Sequence, residues 1–192
     1  MAMMRRAALA AVLLFTTAPS AFAQHTARYD DAFRRYSKRY FGVWFDWRYF
    51  KAQSMAESNL DPRARSSVGA RGLMQLMPST FHEIQTASPY LTSIDDPEWN
   101  IAAGILYDRD LWRVWENVVP ETERPNFMFA SYNAGEGTIN RAMAAARARK
   151  LDHSLWPTIE LVAPTVPRWR YRETLGYVRQ IGVNYDWLRT PR

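Results

Sequence analysis

Hydrophobic residues recur at helical spacing along most of the chain, and glycine or proline interrupts each run. In the first run Tyr29, Phe33, Tyr36 and Tyr40 lie four, three and four residues apart, before Gly42. This spacing places the four aromatic side chains on one helix face, where packing in a core is their simplest role. No run of alternating polar and apolar residues indicates a strand. The sequence therefore predicts a mainly α fold.

The same pattern predicts the other helices and the loops between them. A helix over about 46–58 has Asp46 as its N-cap and stops before Asp61 and Pro62. Asp96 followed by Pro97 indicates the start of a helix that extends to about residue 118. Shorter helices are predicted from about residue 80, over 126–134, from 137 to 149 and over 171–187. Three prolines predict a loop over 150–170.

The first residues have the features of a secretory signal peptide. Residues 1–6 are basic, residues 7–15 are apolar, and small residues flank Phe22 in a cleavage pattern that ends at Ala23. We therefore expect cleavage near Ala23 and a periplasmic or secreted protein. No later stretch approaches the length of a membrane-spanning run, so no transmembrane segment is expected.

Composition excludes several classes of protein. The chain has 192 residues, enough for one domain, and no cysteine, which excludes disulfides, thiolate zinc sites and a cysteine nucleophile. His25, His82 and His153 are too dispersed to indicate a metal site. The net charge is +6, but the basic residues are not dense enough to indicate nucleic acid, and the cluster over 34–39 fits a solvated helix face.

Glu57 is the first candidate for catalysis. It follows Phe50 by seven residues, so both side chains project from nearly the same face of the predicted helix. It also lies near the C-terminus of that helix, where unpaired carbonyl groups make the potential negative. Both features disfavour a carboxylate, so we expect the pKa of Glu57 to be raised. A carboxylic acid protonated near neutral pH suits a general acid, although an ordinary exposed glutamate fits the same facts.

Two further segments place polar groups beside glycine. Residues 69–78, GARGLMQLMP, contain two glycines that permit tight turns, and they predict a folded-back strand or loop. Gln75 in this segment offers two donors and an acceptor to a ligand, or else its amide satisfies the loop itself. Residues 131–135, SYNAG, end a helix with a tyrosine hydroxyl and an asparagine amide, a pattern that also fits an ordinary helix C-cap.

Taken in chain order, these segments resemble the catalytic domain of the family 1 soluble lytic transglycosylases, which has a goose-type-lysozyme-like fold. The resemblance covers roughly residues 45–182, and its blocks are Glu57-Ser58 with Pro62, residues 69–78, Asp96-Pro97 with Asn100-Ile101 and Gly104, residues 132–135, and Glu173-Thr174 with Tyr177-Val178. It implies a lysozyme-like single domain, mainly α, with a small irregular or β-like segment around 66–78. The chain then divides into a signal peptide (1–23), an N-terminal helix (24–44) and a catalytic domain (45–188).

The resemblance implies cleavage of the β-1,4 bond between N-acetylmuramic acid and N-acetylglucosamine in peptidoglycan, with formation of a 1,6-anhydro sugar. Glu57 takes the position of the family's catalytic residue, which acts as general acid and then as base. The matching positions of the sugar cleft are Ser66, Gln75, Met77, Tyr132, Asn133 and Glu173, and Tyr177 belongs to the same motif, close to Glu57. The family needs no metal and no cofactor. The implied partner is the peptidoglycan glycan strand, a cell-envelope protein is a further candidate, and the chain itself is expected to be a monomer.

A glycosidase normally uses two carboxylates, and the sequence shows no obvious second one. The candidates are Asp61, Asp95, Asp96 and Glu136, of which Asp61 and Asp96 are better explained by helix ends. A single carboxylate is consistent with a lyase. A hydrolytic muramidase and a non-catalytic peptidoglycan-binding module stay open as alternatives. An exported adaptor that uses the aromatic face of the first helix has less support.

Some positions depart from the family pattern. Ser131 stands where the family usually has alanine, and Glu136 where it usually has proline. Both are expected beside the cleft, with Glu136 facing water. Residues 107–110, YDRD, are more charged than the family's helix at this place, and residues 150–170 match no family segment.

Overall fold

The computed structural model describes residues 27–190, and the predicted signal peptide over residues 1–23 lies outside this range. Eight α-helices run between Asp30 and Arg189, which confirms the mainly α prediction. A 3-10 turn, Ala163–Thr165, follows the seventh helix. In chain order the helices are α1 Asp30–Phe41, α2 Arg48–Ser58, α3 Pro78–Ala87, α4 Pro97–Val114, α5 Arg124–Ala134, α6 Glu136–Ala148, α7 Trp156–Val162 and α8 Tyr171–Arg189.

Helix α1 confirms the role predicted from its aromatic spacing. Phe33 and Tyr36 are buried, and the Tyr36 hydroxyl donates a hydrogen bond to Glu98 in the first turn of α4 at 2.9 Å. The basic side chains over 34–39 are exposed, as expected for a solvated face. Because α4 packs against α1, the aromatic face that the adaptor alternative required is largely covered. The helix ends at Phe41, and Gly42 follows with a φ of 93°, a conformation that glycine adopts without strain.

Helix α2 differs from the prediction at its start and in the cause of its end. It begins at Arg48, because Asp46 accepts a hydrogen bond from the Arg48 backbone nitrogen at 3.0 Å ahead of the helix. It ends at Ser58 as predicted. However, Asn59 and Leu60 have φ values of 52° and 62°, so the chain turns before it reaches the Asp-Pro dipeptide.

Helix α4 begins with the predicted cap and ends earlier than predicted. The Asp96 carboxylate accepts hydrogen bonds from the backbone nitrogens of Glu98 and Trp99 at 2.9 and 3.0 Å. The helix ends at Val114, and the chain then forms turns over 115–119. The buried indole of Trp115 donates to the Ser131 hydroxyl oxygen at 3.1 Å, which anchors these turns to α5.

The prediction of a loop over 150–170 is wrong in part, because α7 and the 3-10 turn lie there. Pro157 and Pro164 each occupy the first turn of a helix, where a missing N–H costs nothing because that donor has no helical partner. Trp156, Ile159 and Val162 are buried against the rest of the domain. The prolines therefore start helices in this segment instead of preventing them.

The core surrounds α2. This helix packs most extensively against α8 and also contacts α1, whereas α4 contacts α1, α3 and α5. Phe50, Leu73, Met74 and Phe127 are fully buried, and each contributes about 1.5–3 kcal/mol to folding. The segment around 66–78 is irregular apart from isolated β-bridges that Arg71 forms, as predicted. None of the helices within residues 27–190 is both long and apolar enough to cross a membrane.

Candidate active site

The last turn of α2 is fixed to the loop over 65–76. The hydroxyl groups of Ser54 and Ser58 both donate hydrogen bonds to the carbonyl oxygen of Leu73 at 2.9 Å. These two serines are one helical turn apart, so a single carbonyl group holds both to the loop. Glu57 lies in the same turn and is therefore held next to the loop.

Glu57 contacts the final helix across a long separation in sequence. The Tyr177 hydroxyl on α8 donates a hydrogen bond of 2.6 Å to Glu57 Oε1. This places Tyr177 close to Glu57, as the resemblance implied. The extensive packing of α2 against α8 sets the distance between the two side chains.

The environment of the Glu57 carboxyl raises its pKa. Burial raises its pKa from 4.5 to about 7, and the hydrogen bond from Tyr177 partly offsets this increase because it stabilises the ionised form. The direction agrees with the sequence prediction, but the neighbour is different. The Phe50 ring packs against Phe41 and Phe45 instead, with centroids 4.9 and 5.2 Å apart. The raised pKa is thus a consequence of the tertiary fold.

Asn100 on α4 holds the loop over 65–76 in shape. Its side-chain amide accepts from the Met74 backbone nitrogen at 2.8 Å and donates to the carbonyl oxygens of Arg71 and Ile94 at 3.0 and 2.9 Å. Gly72 has a φ of 74°, and a Cβ at this position would lie 2.6 Å from the Asn100 amide nitrogen. The loop therefore requires glycine for its backbone angle and also for the close approach of Asn100.

The three candidate cleft residues of this segment differ in their hydrogen bonds and in their exposure. The Gln75 side-chain nitrogen donates to the carbonyl oxygens of Ala64 and Gly72 at 3.2 and 3.0 Å, so this nitrogen satisfies the loop. The Ser66 hydroxyl oxygen accepts from the Ala70 backbone nitrogen at 2.9 Å. Met77, directly before α3, keeps 38% of its surface exposed. Met77 is thus the most accessible of the three.

Tyr132 at the end of α5 also faces this loop. Its hydroxyl donates to the Met74 carbonyl oxygen at 2.8 Å, and its ring lies 5.2 Å from the Tyr107 ring on α4. Burial raises the pKa of the Tyr132 hydroxyl well above its usual value, and the charge of Glu57 adds to the increase. Burial also raises the pKa of the Tyr177 hydroxyl, so both tyrosines stay protonated, with Tyr132 donating to Met74 and Tyr177 donating to Glu57.

Asn133 and Glu173 meet at a small cavity of about 230 Å³ between α5 and the start of α8. Both side chains are exposed. The Arg170 guanidinium, 2.8 Å from the Glu173 carboxylate, also lines this cavity, as does Trp169. The cavity places charged, amide and aromatic groups together, which is the composition of a site for a polar ligand.

Comparisons with known proteins identify the family of this chain. The family model of the transglycosylase SLT domain matches residues 37–155, more than half of the chain. The chain belongs to the transglycosylase SLT family. Membrane-bound lytic murein transglycosylase F of Shewanella oneidensis is 34% identical over 136 residues, which are 70% of this chain and 27% of that protein.

Solved structures support the same assignment. The 70-kDa soluble lytic transglycosylase of Escherichia coli has a TM-score of 0.62 and 29% identity, over 82% of this chain and 23% of that one. A complex of the 70-kDa soluble lytic transglycosylase with bulgecin A has a TM-score of 0.67 and 27% identity, over 87% and 25%. The SLT domain described here thus spans about a quarter of the length of these relatives.

The departures from the family pattern lie in different environments. Ser131 is fully buried and accepts the hydrogen bond from Trp115, so the expectation that it lies beside the cleft is wrong. Its hydroxyl oxygen gives the buried indole nitrogen of Trp115 an acceptor. Glu136 is exposed in the first turn of α6 and accepts a hydrogen bond from Asn140, as expected for a residue that faces water.

The four carboxylates considered as partners of Glu57 have other roles in this SLT domain. Asp61 accepts from the Arg63 backbone nitrogen, and Asp96 caps α4. Asp95 forms ion pairs with Arg65 and Arg71. Glu136 is the surface residue described above. The hydrogen bonds and ion pairs of these four groups give no reason to pair any of them with Glu57.

Sequence reasoning missed the carboxyl that is electrostatically coupled to Glu57. Asp108 on α4 is fully buried, and Gln53 on α2 donates a hydrogen bond of 3.3 Å to its Oδ1. The unusual charge of residues 107–110 was one signal in the sequence, but it did not identify a partner for Asp108. Gln53, a polar residue on the predicted helix that carries Glu57, is a second signal that could have found the pair.

Proposed function

We propose that this chain is a peptidoglycan lytic transglycosylase. It would cleave the β-1,4 bond between N-acetylmuramic acid and N-acetylglucosamine and leave a 1,6-anhydro-muramyl end. The observation that carries the proposal is the half-buried Glu57 carboxyl, whose pKa is raised to about 7 beside the Tyr177 hydroxyl. A group of this kind is part protonated and part ionised near neutral pH, so it can act as acid and then as base.

In the proposed reaction Glu57 transfers its proton to the glycosidic oxygen as the bond from C1 to that oxygen breaks. The Glu57 carboxylate then accepts the proton of the muramyl 6-hydroxyl, whose oxygen forms the new bond to C1. No water is consumed, and the carboxyl group ends in its starting state. Tyr177 steadies the carboxylate between the two transfers through its 2.6 Å hydrogen bond.

Substrate would lie against the residues that the resemblance assigned to the cleft. Met77 offers exposed apolar surface, and Gln75 offers a carbonyl oxygen. Asn133 and Glu173 line the small cavity at the start of α8, where amide and carboxylate groups suit hydroxyl and acetamido groups. Ser66 belongs to the same proposed cleft with Tyr132 and Tyr177. No part of this proposal requires a metal or a cofactor.

The names of the relatives suggest where this activity takes place. The Shewanella protein is called a murein transglycosylase, and murein is peptidoglycan, so we propose cell-wall glycan strands as the substrate of this chain. The predicted signal peptide would export it to the periplasm or the medium. Because a related enzyme forms a complex with bulgecin A, this compound is a suitable probe of the cleft.

Mass spectrometry of muropeptides released from purified peptidoglycan tests the proposal. The protein should release products lighter than the hydrolytic ones by one water, about 18 Da, and Glu57→Gln should release none. Glu136→Gln is the matched control, because it changes an exposed carboxylate and should leave the products unchanged. Hydrated products would identify a muramidase instead, and binding without any product would identify a peptidoglycan-binding module.

A further inference from the structure

Asp108 on α4 and Gln53, one turn before Glu57 on α2, form a buried polar pair. Both residues are fully buried, and the Gln53 side-chain nitrogen donates to Asp108 Oδ1 at 3.3 Å. The other two polar atoms of the pair, Gln53 Oε1 and Asp108 Oδ2, have no hydrogen-bond partner. None of the ion pairs within residues 27–190 involves Asp108.

One proton accounts for both unpartnered atoms. An ionised carboxylate can only accept hydrogen bonds, so it would leave the Gln53 oxygen without a donor and bury an uncompensated charge. A protonated Asp108 has an O–H group that can donate to Gln53 Oε1 while its Oδ1 accepts from the Gln53 amide. The two side chains then form a closed hydrogen-bonded ring in which each of their four polar atoms has a partner.

Helix α2 carries both Gln53 and Glu57 and so connects the pair to Glu57. Gln53 and Glu57 are four residues apart on this helix, so they are neighbours on consecutive turns. Burial raises the pKa of Asp108 well above its usual value, and the charge of Glu57 adds to the increase. The other titratable or charged groups near Asp108 are Tyr132 on α5, Tyr177 on α8, and Tyr107 and Arg109 on α4 itself.

We propose that Asp108 is a positioning residue, a second carboxylic acid that keeps its proton and holds Gln53 in a hydrogen-bonded ring. The ring fixes the turn of α2 that precedes Glu57. Because Asp108 stays neutral, no second negative charge lies next to Glu57, and Glu57 is the first of the two carboxyls to ionise. Asp108 is not itself catalytic, because a fully buried side chain cannot touch the substrate. The positioning role rests on the proposed function of Glu57.

Carbon-13 NMR of protein labelled at the aspartate carboxyl group tests the protonation without substrate. The Asp108 signal is assigned by its loss in Asp108→Asn. We expect it to stay in the protonated position through neutral pH. In Glu57→Gln its midpoint should fall by about one pH unit, because the neighbouring negative charge is gone. An Asp108 signal that is already ionised in mildly acidic solution, or a midpoint that Glu57→Gln leaves unchanged, would overturn the proposal.

Kinetic measurements with two substitutions test the positioning. Asparagine has one donor and one acceptor in the places of the protonated acid, so Asp108→Asn should keep kcat and the pH profile. Asp108→Leu leaves the Gln53 amide without a partner, so it should lower kcat by roughly 10- to 100-fold with little change in KM. A pH profile of Asp108→Asn displaced to lower pH would mean that Asp108 is ionised, and would refute its neutral state.

A double variant separates positioning from simple stability. Gln53→Leu with Asp108→Leu removes both polar groups, so it should recover thermal stability that Asp108→Leu alone loses. We expect kcat to stay low, because the ring is absent. Recovery of kcat together with stability would show a merely structural pair. If instead Glu57→Gln were fully active, the proposed function would fail while the NMR result for Asp108 would stand.

Discussion

Replacing Tyr177 by phenylalanine tests how the protein sets the protonation of Glu57. The substitution removes one hydroxyl group and keeps the ring between α8 and α2. It therefore deletes the 2.6 Å hydrogen bond to Glu57 Oε1 with little change in packing. That bond favours the carboxylate over the neutral acid, so its loss should raise the pKa of Glu57 above its value of about 7.

The size of the effect follows from the two protonation states. A hydrogen bond to a charged group contributes about 1.5–3 kcal/mol, and one to a neutral group about 0.5–1.5 kcal/mol. The difference is about 1–1.5 kcal/mol, and 1.36 kcal/mol corresponds to one pH unit. We therefore expect the pKa of Glu57 to rise by about one unit in Tyr177→Phe.

The assay is the pH dependence of kcat/KM on purified peptidoglycan. Activity should fall as pH rises through the pKa of Glu57, because the general acid loses its proton. In Tyr177→Phe this fall should occur about one unit higher. Tyr185→Phe is the matched control, because Tyr185 lies on the same helix and donates to a different carboxylate, Asp46 Oδ2, at 3.0 Å. It should leave the profile in place.

The opposite displacement would refute this reasoning. If the alkaline fall of Tyr177→Phe moved to lower pH, the hydroxyl group would be stabilising the protonated acid. If both tyrosine variants moved the profile equally, the effect would come from the general packing of α8 and not from a bond to Glu57.

Three further predictions concern stability. Glu57→Gln should raise Tm at about pH 8 and have no effect near pH 4. A pKa raised from 4.5 to about 7 lowers stability as pH rises through that interval, by at most about 3.4 kcal/mol. A difference in Tm that does not depend on pH would contradict this prediction. Gly72→Ala should lower the free energy of unfolding in urea by about 2–5 kcal/mol, because a clash with the Asn100 amide adds to the strain of a positive φ. Gly69→Ala, with open space around its Cβ, should lower it by only about 1–2 kcal/mol. Asp30→Asn should lower the free energy of unfolding by about 3 kcal/mol, because it leaves the buried Lys51 ammonium without its counter-charge. Lys51→Met should lower it by less, because the Asp30 carboxylate is partly hydrated. Equal losses in the two variants would contradict this prediction.

Most of the helical framework could be predicted because its signals are local. The helical spacing of the aromatic residues marked α1, and Asp96 followed by proline marked the start of α4. The prolines led to a wrong prediction of a loop over 150–170, because proline disrupts the interior of a helix but is also favoured in its first turn. Only the burial of Trp156 and Ile159 decides between these two outcomes.

The candidate site was predicted in part. Glu57 was identified from its place in a helix and from a resemblance, and the increase in its pKa was predicted in direction. The neighbour held responsible, Phe50, belongs to another cluster, because sequence spacing shows which side chains share a helix face but not what packs against that face. Gln75 was identified as a polar group of the loop, but only the folded loop shows that its amide nitrogen is used internally.

By itself the sequence determined most of the helices, the glycine-dependent loop and the candidate acid, because backbone preferences and periodicity act over a few residues. Only the tertiary structure decided the chemistry of that acid. The hydrogen bond from Tyr177 to Glu57 joins residues 120 positions apart, and the contact of Gln53 with Asp108 joins residues 55 apart. Burial raises the pKa of both carboxyls, and burial is a property of the helices that pack around them.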